Sequence, residues 1–304
     1  MLGVSTCWKS SEAKNGKSLL DHLLMLGIDA LELEYRIPSF MLKEMIPILK
    51  KMPIKIMSIH NFCPIPDIIP QNKASANVFL FSSGDKEERA RAIKYSIKTI
   101  QLAHDLEVNA VILHVGHVDM DAKKELFTKL FKTGEIDSHT GRSFIKKQLL
   151  LRKEARQKNL DSVLFCLDKL NKEAEKLNVC IGVENRCHFH EIPDFEEIGI
   201  IIKEFMGGQV RYWHDVGHAS LQEKFGILNH KKLLSTYAPD LLGMHIHDIK
   251  GDDDHRAPGT GDFNFSLIKK YLTPDTIKIV EVHPKVSKVD LLKGIEFLKS
   301  LGIE

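Results

Sequence analysis

Short strand-type runs alternate with longer helix-type runs along the whole chain, and this alternation restricts the fold more than any other feature. The strand-type runs are Leu2–Thr6, Ala30–Glu34, Lys55–His60, Ala110–His114, Cys180–Glu184, Val210–Asp215, Leu241–His247 and Thr276–Val282, eight in all. Between them lie Ser18–Leu26, Phe40–Lys50, Lys86–Leu106, Asp161–Leu177 and Phe195–Phe205. In these stretches apolar residues recur every three or four positions, as one face of a helix requires. Within Lys86–Leu106, the residues Ile93, Ile97, Ile100, Leu102 and Leu106 are expected to form the stripe. Gly27 and Asn178 stand where the first and fourth of these helices should stop. Strands alternating with helices predict a parallel sheet, and eight such units predict closure into a barrel. The strand-to-helix pattern G-x-G-x-x-G is missing, so an open dinucleotide-binding sheet loses its main support. The expected fold is α/β: a single (β/α)8 barrel over residues 1–304, with its active site at the C-terminal mouth.

Size and composition agree with this. One such barrel takes about 250 residues, and more when its loops carry insertions; this chain has 304. It is 43% hydrophobic and 28% charged, ordinary values for a soluble globular protein. The 43 basic and 41 acidic residues leave a net charge of +2, which argues against a protein built to grip nucleic-acid backbone. Cys7, Cys63, Cys166, Cys180 and Cys187 form no C-x-x-C pair. Residues Met1–Lys17 carry no charged and then apolar leader. No apolar run reaches the length of a membrane span. A reduced, cytoplasmic setting without membrane contact is therefore expected.

One segment breaks the rhythm. Asp119–Leu160 is too long for a simple βα connection. It is rich in charge, and its middle carries Leu126, Phe127, Leu130 and Phe131 at helical spacing. It reads as an exposed extension running into a long helix. The sharper reading is a lid beside the mouth, or a contact with a second copy of the chain.

The chemical signal lies in where polar residues fall. Barrel strands should stay apolar until they emerge at the C-terminal face. Here six consecutive strands end in metal-capable side chains: His60, His114, Glu184, Asp215, the pair His245 and His247, and Glu281. A lone histidine at a strand end is usually a hydrogen-bonded structural residue. Six such strand ends converging on one mouth are harder to explain that way. Carboxylates so gathered would repel one another, and a divalent cation removes that cost. Mixed Glu, Asp and His ligands suit zinc, manganese, iron or cobalt, with magnesium less favoured by imidazole. Strand alternation points His245 and His247 to the barrel interior and Asp248 the other way. It likewise places Trp213 with Asp215, turns His214 outward, and places Glu281 with His283.

Taken together, these residues resemble a known superfamily. Glu184, Asp215-Val-Gly-His218-Ala, His245-Ile-His247-Asp248, the loop His255-Arg-Ala-Pro-Gly-Thr-Gly-Asp-Phe and Glu281-Val look like the xylose isomerase-like TIM barrels. That superfamily includes sugar isomerases and epimerases, inosose dehydratases and endonuclease IV. The resemblance implies one divalent ion on Glu184, Asp215, His245 and Glu281, with His218 touching substrate. The endonuclease branch uses a larger, three-metal set, which would map onto His60, His114, Glu184, Asp215, His218, His245, Asp253, His255 and Glu281. The words "DVGHA" and "PGTGDFNF" look like the sugar enzymes instead.

The function expected is a divalent-metal-dependent isomerase or epimerase acting on a sugar or polyol carbonyl through a metal-stabilised enediolate. Glu184 and Glu281 would exchange the proton, while His218, Arg186 and His247 would contact substrate. For Arg186, a salt bridge to a mouth carboxylate is an equal alternative. The partner expected is a small sugar, not nucleic acid. The competing function is an endonuclease IV-like phosphodiesterase acting on abasic-site DNA. A barrel that merely binds a sugar is a third. Around the mouth, His188, Phe189, His190, Trp8 and Phe62 are candidate pocket walls, each with an equally good packing or loop role. Cys7 and Cys187 lie near the mouth too, and the loop from Asn61 to Gly84 is a candidate cover.

Overall fold

The computed structural model describes residues 1–304. Its strands are β1 Leu2–Ser5, β2 Ala30–Leu33, β3 Lys55–His60, β4 Ala110–Leu113, β5 Cys180–Glu184, β6 Val210–Asp215, β7 Leu241–Ile246, β8 Asp248–Lys250, β9 Asp253–Arg256 and β10 Ile277–Val280. Eight of them close a barrel in the order β1-β10-β7-β6-β5-β4-β3-β2. Every neighbouring pair is parallel. The eight expected runs are these eight strands. The short antiparallel hairpin of β8 and β9 was not expected, because charged Asp248–Arg256 lacks the apolar alternation of a strand.

The helices follow the expected stretches within a few residues. Gly27 and Asn178 both adopt positive φ, as helix-terminating residues do. The stripe expected within the long third stretch needs correction. Helix Lys86–Asp105 buries Ala92, Tyr95, Ser96, Thr99, Ile100 and Ala103, and leaves Ile93, Ile97 and Leu102 on its flanks. Small residues let this helix approach the sheet closely, and its buried hydroxyls are used: Ser96 accepts from Asn61 Nδ2 and Thr99 from the Cys63 amide.

Apolar side chains fill the space between strands and helices. Inside the barrel, Ile112, Trp213 and Ile279 form a separate plug beneath the mouth. His214 does point outward, into the layer between barrel and helices, where Tyr212 Oη lies 2.7 Å from Nδ1 and His230 Nε2 lies 2.9 Å from Nε2. No helix is long and apolar enough to cross a membrane.

The Asp119–Leu160 segment is mostly helical: Lys124–Lys132, a short turn at Glu135–Asp137, then His139–Ala155 running on into Gln157–Leu177. It builds a small core of its own from Phe127, Leu130, Ile136 and Ile145 around Phe189 of the loop after β5. Buried Arg152 fastens it there, donating to Glu197, to Asp194 and to the Glu191 carbonyl. The segment thus stands beside the mouth.

Candidate metal centre

Four side chains meet where β5, β6, β7 and β10 open. Glu184 and Asp215 end β5 and β6, His245 lies in β7, and Glu281 follows β10 by one residue. Their exposures are 1%, 0%, 0% and 8% in the order Glu184, Asp215, His245, Glu281. Three carboxylates that deeply buried need cationic partners. His245 Nδ1 lies 3.0 Å from Glu281 Oε2, 3.7 Å from Glu184 Oε1 and 3.8 Å from Asp215 Oδ2. It nevertheless makes no hydrogen bond. Its ring partner Nε2 lies 3.2 Å from Glu32 Oε2, which also accepts from Ser58 Oγ at 2.7 Å. A buried carboxylate on one nitrogen thus turns the other toward three carboxylate oxygens. One imidazole nitrogen and three carboxylates form a donor set that fits a divalent transition-metal ion. These four residues would hold it.

Electrostatics agree. Burial opposes charge on His245, but Glu281, Glu32 and Glu184 outweigh it and push its pKa well up. Burial would raise the pKa of Glu281, yet His245, His255 and His60 hold it well below the usual range. Glu184 is lowered in the same way, against burial, by His114, His218 and His245. An imidazolium and a bound cation therefore compete for the same carboxylates.

The D-V-G-H-A sequence has a local explanation. Asp215 Oδ1 accepts the His218 amide at 2.6 Å and caps helix Val216–Lys224. That cap brings His218 Nδ1 to 3.1 Å from Glu184 Oε1 and 3.4 Å from Asp215 Oδ1. A side chain at Gly217 would drive its Cβ to 2.0 Å from His247 Cε1, so only glycine fits. His247 Nε2 in turn lies 3.1 Å from Asp215 Oδ2, and its Nδ1 accepts the His255 amide at 2.8 Å. His247 was expected to touch substrate. In the structure both its nitrogens are engaged, by Asp215 and by the His255 amide, and it has no exposed surface.

The remaining candidates divide. His60 Nε2 and His114 Nε2 approach Glu184 Oε2 at 3.4 and 3.1 Å. His114 is held neutral, its pKa pushed down to about 3 by burial and by the Arg186 guanidinium. Arg186 is itself buried and paired with Glu184 and Glu191, the salt-bridge alternative. His255 reaches the site, with Nε2 3.8 Å from Glu281 Oε2 and its ring stacked on His247. Asp253 does not. It faces outward on β9, paired with Arg256 at 2.7 Å and Lys285 at 2.8 Å. Its neighbour Asp254 takes the inward place and approaches His255 at 3.2 Å. The nine-residue set is therefore not brought together. Asp248, expected to point away, accepts the amides of Ile249, Gly259, Gly261 and Phe263 and so folds the P-G-T-G-D-F loop.

Around the rim, most candidate walls are packing residues. Phe62 is buried against Phe79 and Phe81, and Trp8 Nε1 donates to the Val286 carbonyl. Cys7 donates to the Val282 carbonyl and Cys187 to Glu191. The loop after Asn61 packs down through Phe79 and Phe81 onto the core. His188 and Phe189 do line a cavity of about 110 Å³, together with Lys124, Phe127, Phe225 and Asp252. His190 is buried against its neighbours.

The important residue that sequence reasoning missed is Glu32. Its signal was present: in Leu31-Glu32-Leu33-Glu34, two glutamates two apart share one face of a barrel strand. A buried, inward-facing charge pair on a core strand is rarely structural filler.

Comparison with known proteins completes the picture. No curated protein matches the sequence. Among solved structures, a D-tagatose 3-epimerase-like protein superposes with a TM-score of 0.70 at 19% identity, covering 99% of this chain and 97% of the other. L-ribulose 3-epimerase gives 0.70 at 15% identity, with coverages of 99% and 94%. The 3-keto-D-glucoside 4-epimerase YcjR from E. coli gives 0.69 at 11% identity, with 98% of each chain covered. At these identities the likeness establishes the shared fold. The family model described as xylose isomerase-like TIM barrel matches residues 20–301, and the chain belongs to that family.

Proposed function

We propose that this protein is a divalent-metal-dependent sugar isomerase or epimerase. The observation that carries the reading is His245 Nδ1, buried and unbonded, with the carboxylates of Glu184, Asp215 and Glu281 around it. The structural neighbours named as sugar epimerases support it. A bound ion would supply Lewis acidity, polarising a carbonyl and easing removal of the adjacent carbon-bound proton.

The chain's own residues supply the rest. Glu184 and Glu281 are the carboxylates placed to take that proton and return it. Both are held ionised by neighbouring imidazoles, the state a general base needs. His218 commits Nδ1 to Glu184, Asp215 and the Asn185 carbonyl, leaving Nε2 for a substrate oxygen.

The nuclease reading draws on His60 and His114, but its nine-residue set lacks Asp253, which pairs with Arg256 and Lys285 instead. The test is exchange with solvent. Protein loaded with manganese or cobalt is incubated in D2O with a panel of ketoses and aldoses, free and phosphorylated. Deuterium should enter the carbon beside the carbonyl. Glu281→Gln, assayed at saturating metal, should slow this by about 10²–10⁴-fold. A fully active Glu281→Gln would overturn the assignment. Cleavage of an abasic-site duplex with no sugar exchange would move the nuclease reading to first place.

A further inference from the structure

A second set of metal-capable groups adjoins the first. His60 Nε2 and His114 Nε2 lie 3.4 and 3.1 Å from Glu184 Oε2, and the three ligand atoms fall within 4.8 Å of one another. His60 Nδ1 donates to the Asn61 carbonyl at 3.0 Å, so Nε2 is the nitrogen that faces Glu184. Two imidazoles and a carboxylate are enough to hold a transition-metal ion. On ligands alone, this barrel mouth could take two ions, with Glu184 common to both ligand sets.

The place is already taken by a cation of the chain's own. Arg186 Nη1 lies 2.5 Å from His114 Nε2 and 3.4 Å from Glu184 Oε1. By donating to His114 Nε2, the guanidinium occupies the lone pair that a metal would need. It also supplies Glu184 with a permanent positive charge, since arginine does not deprotonate in proteins. The group is fixed from behind: Nη2 pairs with Glu191 Oε1 at 3.3 Å, and the Arg186 carbonyl accepts from Gln222 Nε2 at 2.6 Å. Only 5% of the residue is exposed, so it has little room to swing aside.

We propose that Arg186 is a resident counter-ion that closes the His60–His114–Glu184 site and holds the protein to a single exchangeable metal ion. The inference rests on the one-ion centre proposed above. It explains how the chain keeps the first two histidines of a multi-metal pattern without adopting multi-metal chemistry. Position 186 then decides how many ions the mouth accepts. A second ion there would face a fixed guanidinium within contact distance of two of its three ligands.

The test is metal stoichiometry. Wild type, Arg186→Gln and Arg186→Met are stripped with chelator, reloaded with zinc or manganese, and desalted. Ions per chain are counted by elemental mass spectrometry, with folding checked by circular dichroism. Wild type should hold about one ion, and either neutral variant about two, as one ion per ligand set requires. The second ion should disappear when His114→Ala is added to the variant. In the wild-type background, His114→Ala and His60→Ala should leave the count unchanged. Two or more ions on wild type would overturn the inference. So would a folded variant that stays at the wild-type count, or a wild-type count that falls with His114→Ala. A wild type that takes up no ion would sink the one-ion reading instead, and a variant that then gained one would still support the role of Arg186.

Discussion

Glu32 illustrates how one side chain can govern a site it does not enter. It lies on β2, across the barrel from His245, and fixes that ring through Nε2. Carboxylates in this position orient a metal-bound imidazole and raise its basicity, and losing them typically weakens metal binding by about 10–100-fold. Glu32→Ala should show that loss in a metal titration, and Glu32→Gln a smaller one, because its amide oxygen can still accept from Nε2. Unchanged affinity in both would remove Glu32 from the centre. His230 makes a different residue-scale prediction. It is buried between His214 and Phe263, with Ser220 Oγ 3.4 Å from Nδ1, and burial pushes its pKa down from 6.5 to about 4. The folded chain thus refuses a proton that the unfolded chain binds. Its share of stability is intact above about pH 6.5, shrinks as pH falls from there to about 4, and then levels, a loss of roughly 3 kcal/mol in full. Urea midpoints for wild type and His230→Gln at about pH 7 and about pH 4.5 should converge at the lower pH. A constant gap between them would show that His230 does not titrate this way.

At the scale of elements, the long insertion is tied to the mouth by two arginines, the buried Arg152 and, beside it, Arg156, which reaches Asp194 at 3.5 Å and Glu196 at 3.0 Å. Arg152, on helix His139–Ala155, pairs with Glu197 at 2.6 Å and with Asp194. Those two acids are also the capping box of helix Phe195–Glu204. The same guanidinium holds the Glu191 carbonyl, and the Glu191 carboxylate holds Arg186. Arg152→Met would strip fully buried Glu197 of both its guanidinium hydrogen bonds, leaving only Arg156 at 4.0 Å. Breaking such a pair from one side costs about 3–5 kcal/mol, and chemical denaturation of the variant should show it. A loss below about 1 kcal/mol would mean that Arg156 and the segment's phenylalanines hold it without help from Arg152. The sequence exposed this segment as an anomaly of length and charge. Its anchoring was not legible, because Arg152 is one of several basic residues in the run and nothing local distinguishes the buried one.

For the whole molecule, an ion that joins four strands should stabilise the barrel as a unit. Binding at about a hundredfold excess over Kd is worth roughly 2.7 kcal/mol. In a domain of this size that amounts to about 4 °C in Tm. Chelator should lower the calorimetric Tm by that amount, added manganese or zinc should restore it, and Asp215→Ala should remove the effect. An identical Tm in chelator and in excess metal would mean that the folded state holds no ion.

The eight barrel strands, their order along the chain and the residue types at their ends were all legible before any fold was known. Those features are written in local periodicity, which a strand or helix expresses wherever it packs. Tertiary structure alone decided which of the end residues meet. Asp253 and Asp254 are adjacent in the chain, yet the register of the β8–β9 hairpin sends one to Lys285 and the other toward His255. A shift of one residue exchanges the faces of a strand, and no pattern in a short charged hairpin fixes that register in advance. Glu32 and His245 stand 213 positions apart and touch only because the barrel closes. Arg186 reads equally well as a substrate ligand or as a counter-ion until His114, Glu184 and Glu191 are seen around it. Local periodicity cannot carry such contacts, because they form between residues that the chain brings together only when the sheet closes on itself.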